Sequence, residues 1–165
     1  MPSKLLNERE MYKPVCFWLE SLLAHRNKRA RVKAYDTSSV QLYRWLEQNG
    51  DESLFPEYLA YDIRVDVTGV IRTGTSAHLA FVECKLRPIR LKDISQLLGY
   101  CRVAQPQTAW IISPSGISPH VSYLLKAYHR YDVLNFDAAK RIRVAVWNHA
   151  RSEIDASSVL PPGSF

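Results

Sequence analysis

Two stretches of alternating apolar and polar residues, separated by a short turn, constrain the fold of this chain more than any other feature. Over Tyr61–Ile71, alternation places Ile63, Val65, Val67 and Ile71 on one face, and over Leu79–Leu86 it places Val82, Cys84 and Leu86 opposite Phe81, Glu83 and Lys85. Such alternation is typical of β-strands. The residues between them include Thr-Gly-Thr-Ser at positions 73–76, which is the composition of a tight turn. The sequence therefore predicts an antiparallel hairpin in the middle of the chain.

The predicted hairpin brings two acidic residues together. If Gly74 and Thr75 are the central turn residues, Asp66 pairs directly with Glu83, and opposed side chains have Cβ atoms about 5 Å apart. Two carboxylates at that distance repel each other, whereas a divalent cation between them makes the contact favourable. Mg²⁺ prefers carboxylate oxygens together with several waters. Lys85 follows on the same face, where its ammonium can hold a water or a phosphate oxygen. The alternative is a solvated ribbon face, with Lys85 neutralising the acids.

Further elements surround the hairpin. Apolar periodicity and capping residues predict four helices, over Asn7–Ala24, Ser38–Gln48, Leu91–Ala104 and His120–Arg130. A buried strand is predicted over Thr108–Ser113, and edge or short strands over Arg31–Tyr35, Val133–Phe136 and Ile142–Trp147. This order implies a mixed sheet with helices on its faces.

Composition bounds the class of protein. The chain has 165 residues, 47% of them apolar and 23% charged, which favours one domain with its own core. We expect that domain to span residues 1–155 and a Ser/Pro-rich tail to span 156–165. No stretch approaches the ~20 apolar residues of a membrane span, and the three cysteines form no disulfide or zinc pattern. We therefore expect a cytoplasmic protein without a membrane partner. The net charge of +6 suits a polyanion.

The residues of the hairpin carry a resemblance to a known family. The run DVTGVI from Asp66, followed by FVECK from Phe81 to Lys85, resembles the D…ExK signature of the PD-(D/E)XK nuclease superfamily. Val65 stands where that family usually has proline. Gln96 and Tyr100, in the helix that follows, match the QxxxY element of the RecB-like branch. The resemblance covers about a third of the chain.

That resemblance implies a restriction-endonuclease-like α/β fold, in which a mixed β-sheet is flanked by helices. Its core has the order αβββαβ, and this chain would add a helical insertion and C-terminal elements. The implied activity is metal-dependent hydrolysis of DNA phosphodiester bonds with 5′-phosphate products. Two alternatives remain open: a non-catalytic nucleic-acid-binding module, or a scaffold subunit of a larger nuclease complex. A homodimer or a protein partner subunit is compatible with each of them.

The resemblance also assigns roles to residues. Asp66 and Glu83 would ligate Mg²⁺ or Mn²⁺, and the backbone carbonyl of Cys84 would add a ligand. Lys85 would orient the attacking water or help to deprotonate it, with Gln96 near this lysine or a phosphate. These assignments come from the motif match rather than from spacing.

Several residues are secondary candidates. Glu10 is a further candidate ligand, since related nucleases bring a glutamate from the first helix, although a capping role with Asn7 explains it equally well. Basic and aromatic side chains are the candidates for DNA contacts. They are Arg87, Arg90, Lys92 and Tyr100 after the second hairpin strand, and Arg26, Lys28, Arg29, Arg31 and Lys33 after the first helix.

Overall fold

A mixed β-sheet forms the centre of this computed structural model, which describes Lys4 and residues 7–165. Six strands are found in that part of the chain, and their order across the sheet follows the sequence. They are β1 Arg31–Asp36, β2 Val67–Thr73, β3 Ser76–Cys84, β4 Thr108–Ser113, β5 Ile142–Asn148 and β6 Glu153–Ile154. β1, β2 and β3 pair antiparallel, β3, β4 and β5 pair parallel, and β6 pairs antiparallel with β5.

Helices lie on both faces of this sheet. They are α1 Arg9–Arg26, α2 Leu42–Gln48, α3 Leu91–Ala104 and α4 Pro119–Ser122, the last continued by a π-helical turn over Tyr123–Ala127. Short 3₁₀ turns occur at Glu52–Leu54, Tyr58–Ala60, Tyr131–Leu134 and Ala156–Ser158. The predicted mixed α/β class is therefore confirmed. The order α1, β1, β2, β3, α3, β4 is the αβββαβ core, with α2 inserted after β1 and with β5 and β6 added at the end.

The sheet separates two apolar layers. The α3-side core includes Phe81, Ile94, Leu97 and Ile111, whereas the α1-side core includes Leu19, Val82, Trp110 and Trp147. Because β4 is covered on both faces, all six of its residues are buried, as its nearly continuous apolar sequence predicts.

The predicted hairpin register is confirmed. Thr73 pairs with Ser76, so the two residues between them form the turn, and Gly74 has φ +53°, in the region that favours glycine. The ladder runs to the pair of Val67 with Val82. Asp66 and Glu83 are the next residues of the two paired segments.

The predicted strand over Tyr61–Ile71 is too long at its start, because backbone groups among its first six residues form hydrogen bonds outside the hairpin. The Leu42 N–H donates to the carbonyl of Ile63 (2.8 Å), and the Thr37 hydroxyl donates to the carbonyl of Val65 (2.6 Å). The segment therefore pairs with the start of α2, and β2 begins only at Val67.

The predicted common face of that strand is also wrong. Ile63 and Val65 pack in the α3-side core, whereas Val67 and Ile71 pack in the α1-side core. The change occurs at the bend that holds Asp66. Alternation in the sequence continues through this bend, but the strand does not.

Four other predictions differ from the structure. The second helix starts at Leu42, because Ser38 instead donates its N–H and hydroxyl to Asp36 in a turn. The predicted strand over Val133–Phe136 is wrong, since Val133 and Leu134 lie in a 3₁₀ turn. The predicted helix over His120–Arg130 is one α-helical turn followed by a π-helical turn. β5 is not an edge strand, because β6 pairs with it.

Residues 156–165, predicted to be a tail, pack on the rest of the chain. Val159 and Leu160 are buried, and Leu160 exchanges two backbone hydrogen bonds with Val144 (2.9 and 3.0 Å). The ring of Phe165 meets Trp110 edge to face, with centroids 5.3 Å apart. The domain boundary at residue 155 stays a prediction, but the residues beyond it contribute to both cores.

Deleting residues 156–165 should therefore lower the free energy of unfolding by several kcal/mol. Burial of each large aliphatic side chain is worth about 1.5–3 kcal/mol, and the deletion removes both Val159 and Leu160. The measurement is urea-induced unfolding of the deleted and full-length chains. Deleting only Ser164 and Phe165 is the control, and it should have the smaller effect. Equal midpoints for the ten-residue deletion and the full chain would contradict this expectation.

Candidate active site

Both carboxylate oxygens of Asp66 accept hydrogen bonds, one from β3 and one from α1. Its Oδ2 accepts a hydrogen bond from the backbone N–H of Cys84 (2.9 Å), and its Oδ1 accepts one from the Tyr12 hydroxyl (3.2 Å). The first bond replaces the ladder bond that would follow Val67–Val82 in a longer hairpin. The carboxylate is thereby held at the end of β3, beside Glu83.

Glu83 is buried although it carries a carboxyl group. Only 6% of the residue is exposed, and among the described residues its buried Oε1 has no hydrogen-bond partner. Its Oε2 lies 3.7 Å from the Nζ of Lys85. This burial differs from the solvated ribbon face that the sequence left open.

The charges of this group depend on one another. Burial raises the pKa of Glu83 well above its usual range, and the negative charge of Asp66 raises it further, while Lys85 lowers it. For Lys85, burial lowers the pKa, but Glu83 and Asp66 raise it by more, so the net shift is upward. The Lys85 ammonium therefore stays charged at neutral pH, next to two carboxyl groups that oppose each other's ionisation.

Contacts with the parallel neighbour β4 fix the backbone after Glu83. The Lys85 N–H donates to the carbonyl of Ile112 (2.9 Å), and the Ser115 hydroxyl donates to the carbonyl of Leu86 (2.7 Å). The chain that carries Lys85 is therefore held by the loop that follows β4. Strand ends at this edge of a sheet are where α/β proteins commonly bind ligands.

Two residues at the start of α1 contribute to the site and were not predicted. Burial and the charge of Asp66 raise the pKa of Tyr12, and Glu8 adds to this rise. Glu8 also raises the pKa of Lys85. Glu10, the predicted glutamate of this helix, is exposed and accepts a hydrogen bond from the Asn7 amide (3.2 Å). Its role as a ligand stays a prediction.

A signal for Glu8 and Tyr12 was present in the sequence. The two are four residues apart, and residues at that spacing share a helix face. The buried stripe of α1 includes Tyr12, Val15 and Leu19. Glu10 lies two positions from Glu8 and therefore points to another side of the helix.

Gln96 and Tyr100 contact each other. The Gln96 amide donates to the Tyr100 hydroxyl (2.9 Å), and Gln96 is exposed. The face of α3 that meets the sheet carries Ile94, Leu97 and Cys101 instead. The predicted catalytic role of Gln96 and DNA-binding role of Tyr100 stay predictions.

The predicted DNA-binding residues near the site differ in their contacts and exposure. Arg87 donates from both terminal guanidinium nitrogens to the buried carboxylate of Asp93 (2.7 and 2.8 Å), which also accepts the Arg90 N–H at the start of α3. Arg87 therefore stabilises the helix start. Arg90 and Lys92 are exposed.

The basic run after α1 lies at the opposite end of the sheet. Arg31 pairs with Arg72 beside the β2–β3 turn, and Arg26 ends the helix whose beginning contacts Asp66. β3 has nine residues, which span roughly 25–30 Å at about 3.3 Å per residue. Arg26, Lys28, Arg29 and Arg31 are thus separated from the two carboxyl groups by nearly the full length of the sheet, whereas Lys33, opposite Val70, lies about halfway along it. The exposed cations of the run are Arg26, Lys28, Arg29, Arg31 and Lys33.

The carboxyl groups have the chemistry of a small magnesium site. Within Lys4 and residues 7–165, no three His, Cys, Asp or Glu side chains are grouped to hold a metal ion. Mg²⁺ commonly uses only one or two carboxylates and keeps several waters. Asp66 and Glu83 meet that need, and the Glu83 Oε1, which has no hydrogen-bond partner within Lys4 and residues 7–165, is an available oxygen. Ligation by the Cys84 carbonyl stays a prediction.

Comparisons with known proteins add little to this geometry. No protein-family model matches the sequence, and no curated protein matches it significantly. A solved structure of the MspJI restriction endonuclease in complex with a 27-mer oligonucleotide is similar, with a TM-score of 0.42 and 10% identity. The match covers 84% of this chain and 26% of the endonuclease chain. This chain thus spans about a quarter of that protein, and a likeness so distant identifies neither a family nor an activity.

No helix in the described part of the chain has the length and apolar character needed to cross a membrane.

Replacing Glu83 by Gln should stabilise the metal-free protein at pH 8. Because the pKa of Glu83 is raised in the folded state, the folded state binds more protons than the unfolded state above the ordinary Glu value of about 4.3. Stability therefore falls as pH rises through that window. Glu83→Gln removes this loss, so its free energy of unfolding should exceed that of wild type at pH 8.

The measurement is urea unfolding with a chelator at pH 8 and pH 4. At pH 4 most of the advantage of Glu83→Gln should disappear, because Glu83 is then protonated in the folded state and mostly protonated in the unfolded state. Glu57→Gln, at an exposed position, is the control and should behave like wild type at both pH values. A Glu83→Gln variant less stable than wild type at pH 8 would show that the buried carboxylate is stabilising.

Proposed function

We propose that this chain is a metal-dependent nuclease that hydrolyses DNA phosphodiester bonds and leaves 5′-phosphates. The proposal is carried by one observation: Asp66, the buried Glu83 and the charged Lys85 meet at the end of β3. The D…ExK resemblance of the same residues supplies the reaction. The exposed cations Arg90 and Lys92 make the surroundings suited to a phosphate backbone.

Asp66 and Glu83 would hold the ion, which is Mg²⁺ or Mn²⁺. Without a cation, two carboxyl groups in contact resist ionisation, and Glu83 is further disfavoured by burial. A dication removes both penalties. When bound, it supplies Lewis-acid activation of the phosphate and of water.

Lys85 has a separate task in this proposal. Its ammonium is charged because Glu83 and Asp66 outweigh the effect of burial on its pKa. A charged ammonium is a hydrogen-bond donor and not a base. We therefore assign Lys85 to hold a phosphate oxygen or to orient the water, and not to remove a proton in this state.

Tyr12 and Glu8 would act through the acidic pair. The Tyr12 hydroxyl orients the Asp66 carboxylate, and the raised pKa of Tyr12 keeps that hydroxyl protonated. Glu8 adds negative charge near Lys85, which strengthens the field for a dication.

Lys85→Ala and Asp66→Asn should each reduce DNA cleavage at least about 100-fold, the usual range for loss of a positioned catalytic group. The assay follows plasmid and single-stranded DNA with Mg²⁺ or Mn²⁺, and 5′-end analysis identifies the products. Asp62→Asn is the matched control, since Asp62 is an exposed acid four residues from Asp66. It should retain wild-type rates. A Lys85→Ala variant that cleaves DNA at the wild-type rate would contradict the proposal.

Metal binding gives a second readout that does not depend on cleavage. A ligand that binds only the folded state raises stability with its concentration, so Mg²⁺ or Mn²⁺ should raise the unfolding midpoint of wild type. Glu83→Gln and Asp66→Asn should lose that rise. DNA binding without cleavage and without a metal response would favour the non-catalytic binding or scaffold role.

Substitutions in the two groups of basic residues should have different effects on DNA binding. Lys92→Glu should weaken DNA binding and lower the salt dependence by about one unit of slope. Arg29→Glu should change neither, because it lies roughly 25 Å from the acidic pair and charges farther apart than about 10 Å are screened at 0.1 M salt. Affinity for a labelled duplex, measured over a salt series in chelator, decides this. Equal losses for the two variants would place DNA along the whole sheet.

A further inference from the structure

An open depression beside the start of α3 is lined by large apolar side chains that remain exposed. Its volume is about 350 Å³, and it is lined by Leu91, His120, Tyr123, Leu124 and Tyr128. Tyr123 is 60% exposed and Tyr128 is 71% exposed. Aromatic side chains usually bury most of their surface, so two exposed rings in one depression indicate a binding surface.

This depression lies at the same edge of the sheet as the acidic pair. β3 and β4 are parallel neighbours, so Cys84 and Ser113 end at that edge. The segments that follow them pair at Ile89 and Ile117 and lead directly into α3 and α4. The chain from Glu83 reaches the depression within eight residues.

A π-helical turn brings the two tyrosines to the same depression. The Tyr128 N–H donates to the carbonyl of Tyr123 (3.0 Å), five residues earlier. In an α-helix, residues five apart lie about 140° apart around the axis. The wider turn brings both rings to one side, and such turns occur frequently at functional sites.

The charges around the depression favour an anionic partner. Residues 87–95 and 118–132 contain five Lys or Arg residues and two Asp residues. Both acids are already paired, Asp93 with Arg87 and Asp132 with Arg130. Arg90 and Lys92 are exposed at the start of α3. Flat exposed rings beside these exposed cations match nucleobases on a phosphate backbone.

We propose that this depression stacks one or two unpaired bases of a nucleic acid strand on Tyr123 and Tyr128, so that the substrate is single-stranded or has an unpaired end. Bases within a duplex are stacked on each other and cannot reach these rings. The statement about substrate rests on the proposed function. The statement about base binding does not.

The test is the affinity for a labelled oligothymidylate of about 10 nucleotides, within the usual range of single-strand sites. It is measured by fluorescence anisotropy in chelator, so that cleavage cannot interfere. The double variant Tyr123→Ala/Tyr128→Ala should bind at least about tenfold more weakly, since one stacked base is worth about 1–3 kcal/mol. The variant Tyr123→Phe/Tyr128→Phe should bind like wild type. Phe17→Ala removes another exposed aromatic ring, 61% exposed on α1, and should have no effect.

Two further measurements complete the test. An abasic strand of the same length should bind wild type as weakly as oligothymidylate binds the double Ala variant. Because the rings are exposed, the variants should keep the wild-type unfolding midpoint. Unchanged affinity in the double Ala variant, or an abasic strand that binds wild type as well as oligothymidylate, would overturn the proposal. If wild type is a dimer that this variant dissociates while oligothymidylate binding persists, the depression is a protein interface and the proposal fails.

Cleavage assays then separate this inference from the proposed function. If wild type cleaves single-stranded DNA and the double Ala variant has the same kcat/KM, the inference fails and the nuclease function stands. If wild type cleaves nothing but the double Ala variant loses oligothymidylate binding, the nuclease function fails and the base-stacking surface stands.

Discussion

The hydrogen bond from the Cys84 N–H to the Asp66 carboxylate determines the geometry of the site. It continues the β2–β3 register by one step after regular pairing ends. Because a side chain replaces a backbone acceptor there, the carboxylate lies beside Glu83 and faces the Tyr12 hydroxyl of α1. The position of α1 and the contact between the acids therefore both depend on this bend.

The contact between Asp66 and Glu83 is unfavourable for the stability of the folded chain. Burial and Asp66 both oppose ionisation of Glu83, and the buried Glu83 Oε1 forms no hydrogen bond in the described part of the chain. Buried acceptors without partners cost free energy. Strongly shifted acids of this kind cluster at functional sites, and under the proposed function a bound dication would remove the penalty.

Chain connectivity gathers the chemistry at one edge of the sheet. The parallel arrangement of β3 and β4 makes their following segments neighbours, so the acids, Lys85 and the exposed tyrosines share that edge. The cations that end α1 lie at the opposite edge, because α1 runs along β2 from Asp66 to the hairpin turn. The length of α1 therefore separates these cations from the acidic pair, although the sequence predicted both groups to act on the same DNA.

Local patterns in the sequence determined the hairpin, its register and the pair of Asp66 with Glu83, because side-chain alternation and turn composition act between near neighbours. The periodicity of α3 and the apolar run of β4 were equally local. Only the tertiary structure decided that β2 starts at Val67, since Thr37 and α2 take the backbone groups of the preceding residues. It also decided that Glu8 is the α1 glutamate whose charge acts on Lys85, because that depends on how a helix packs on strands distant in the sequence.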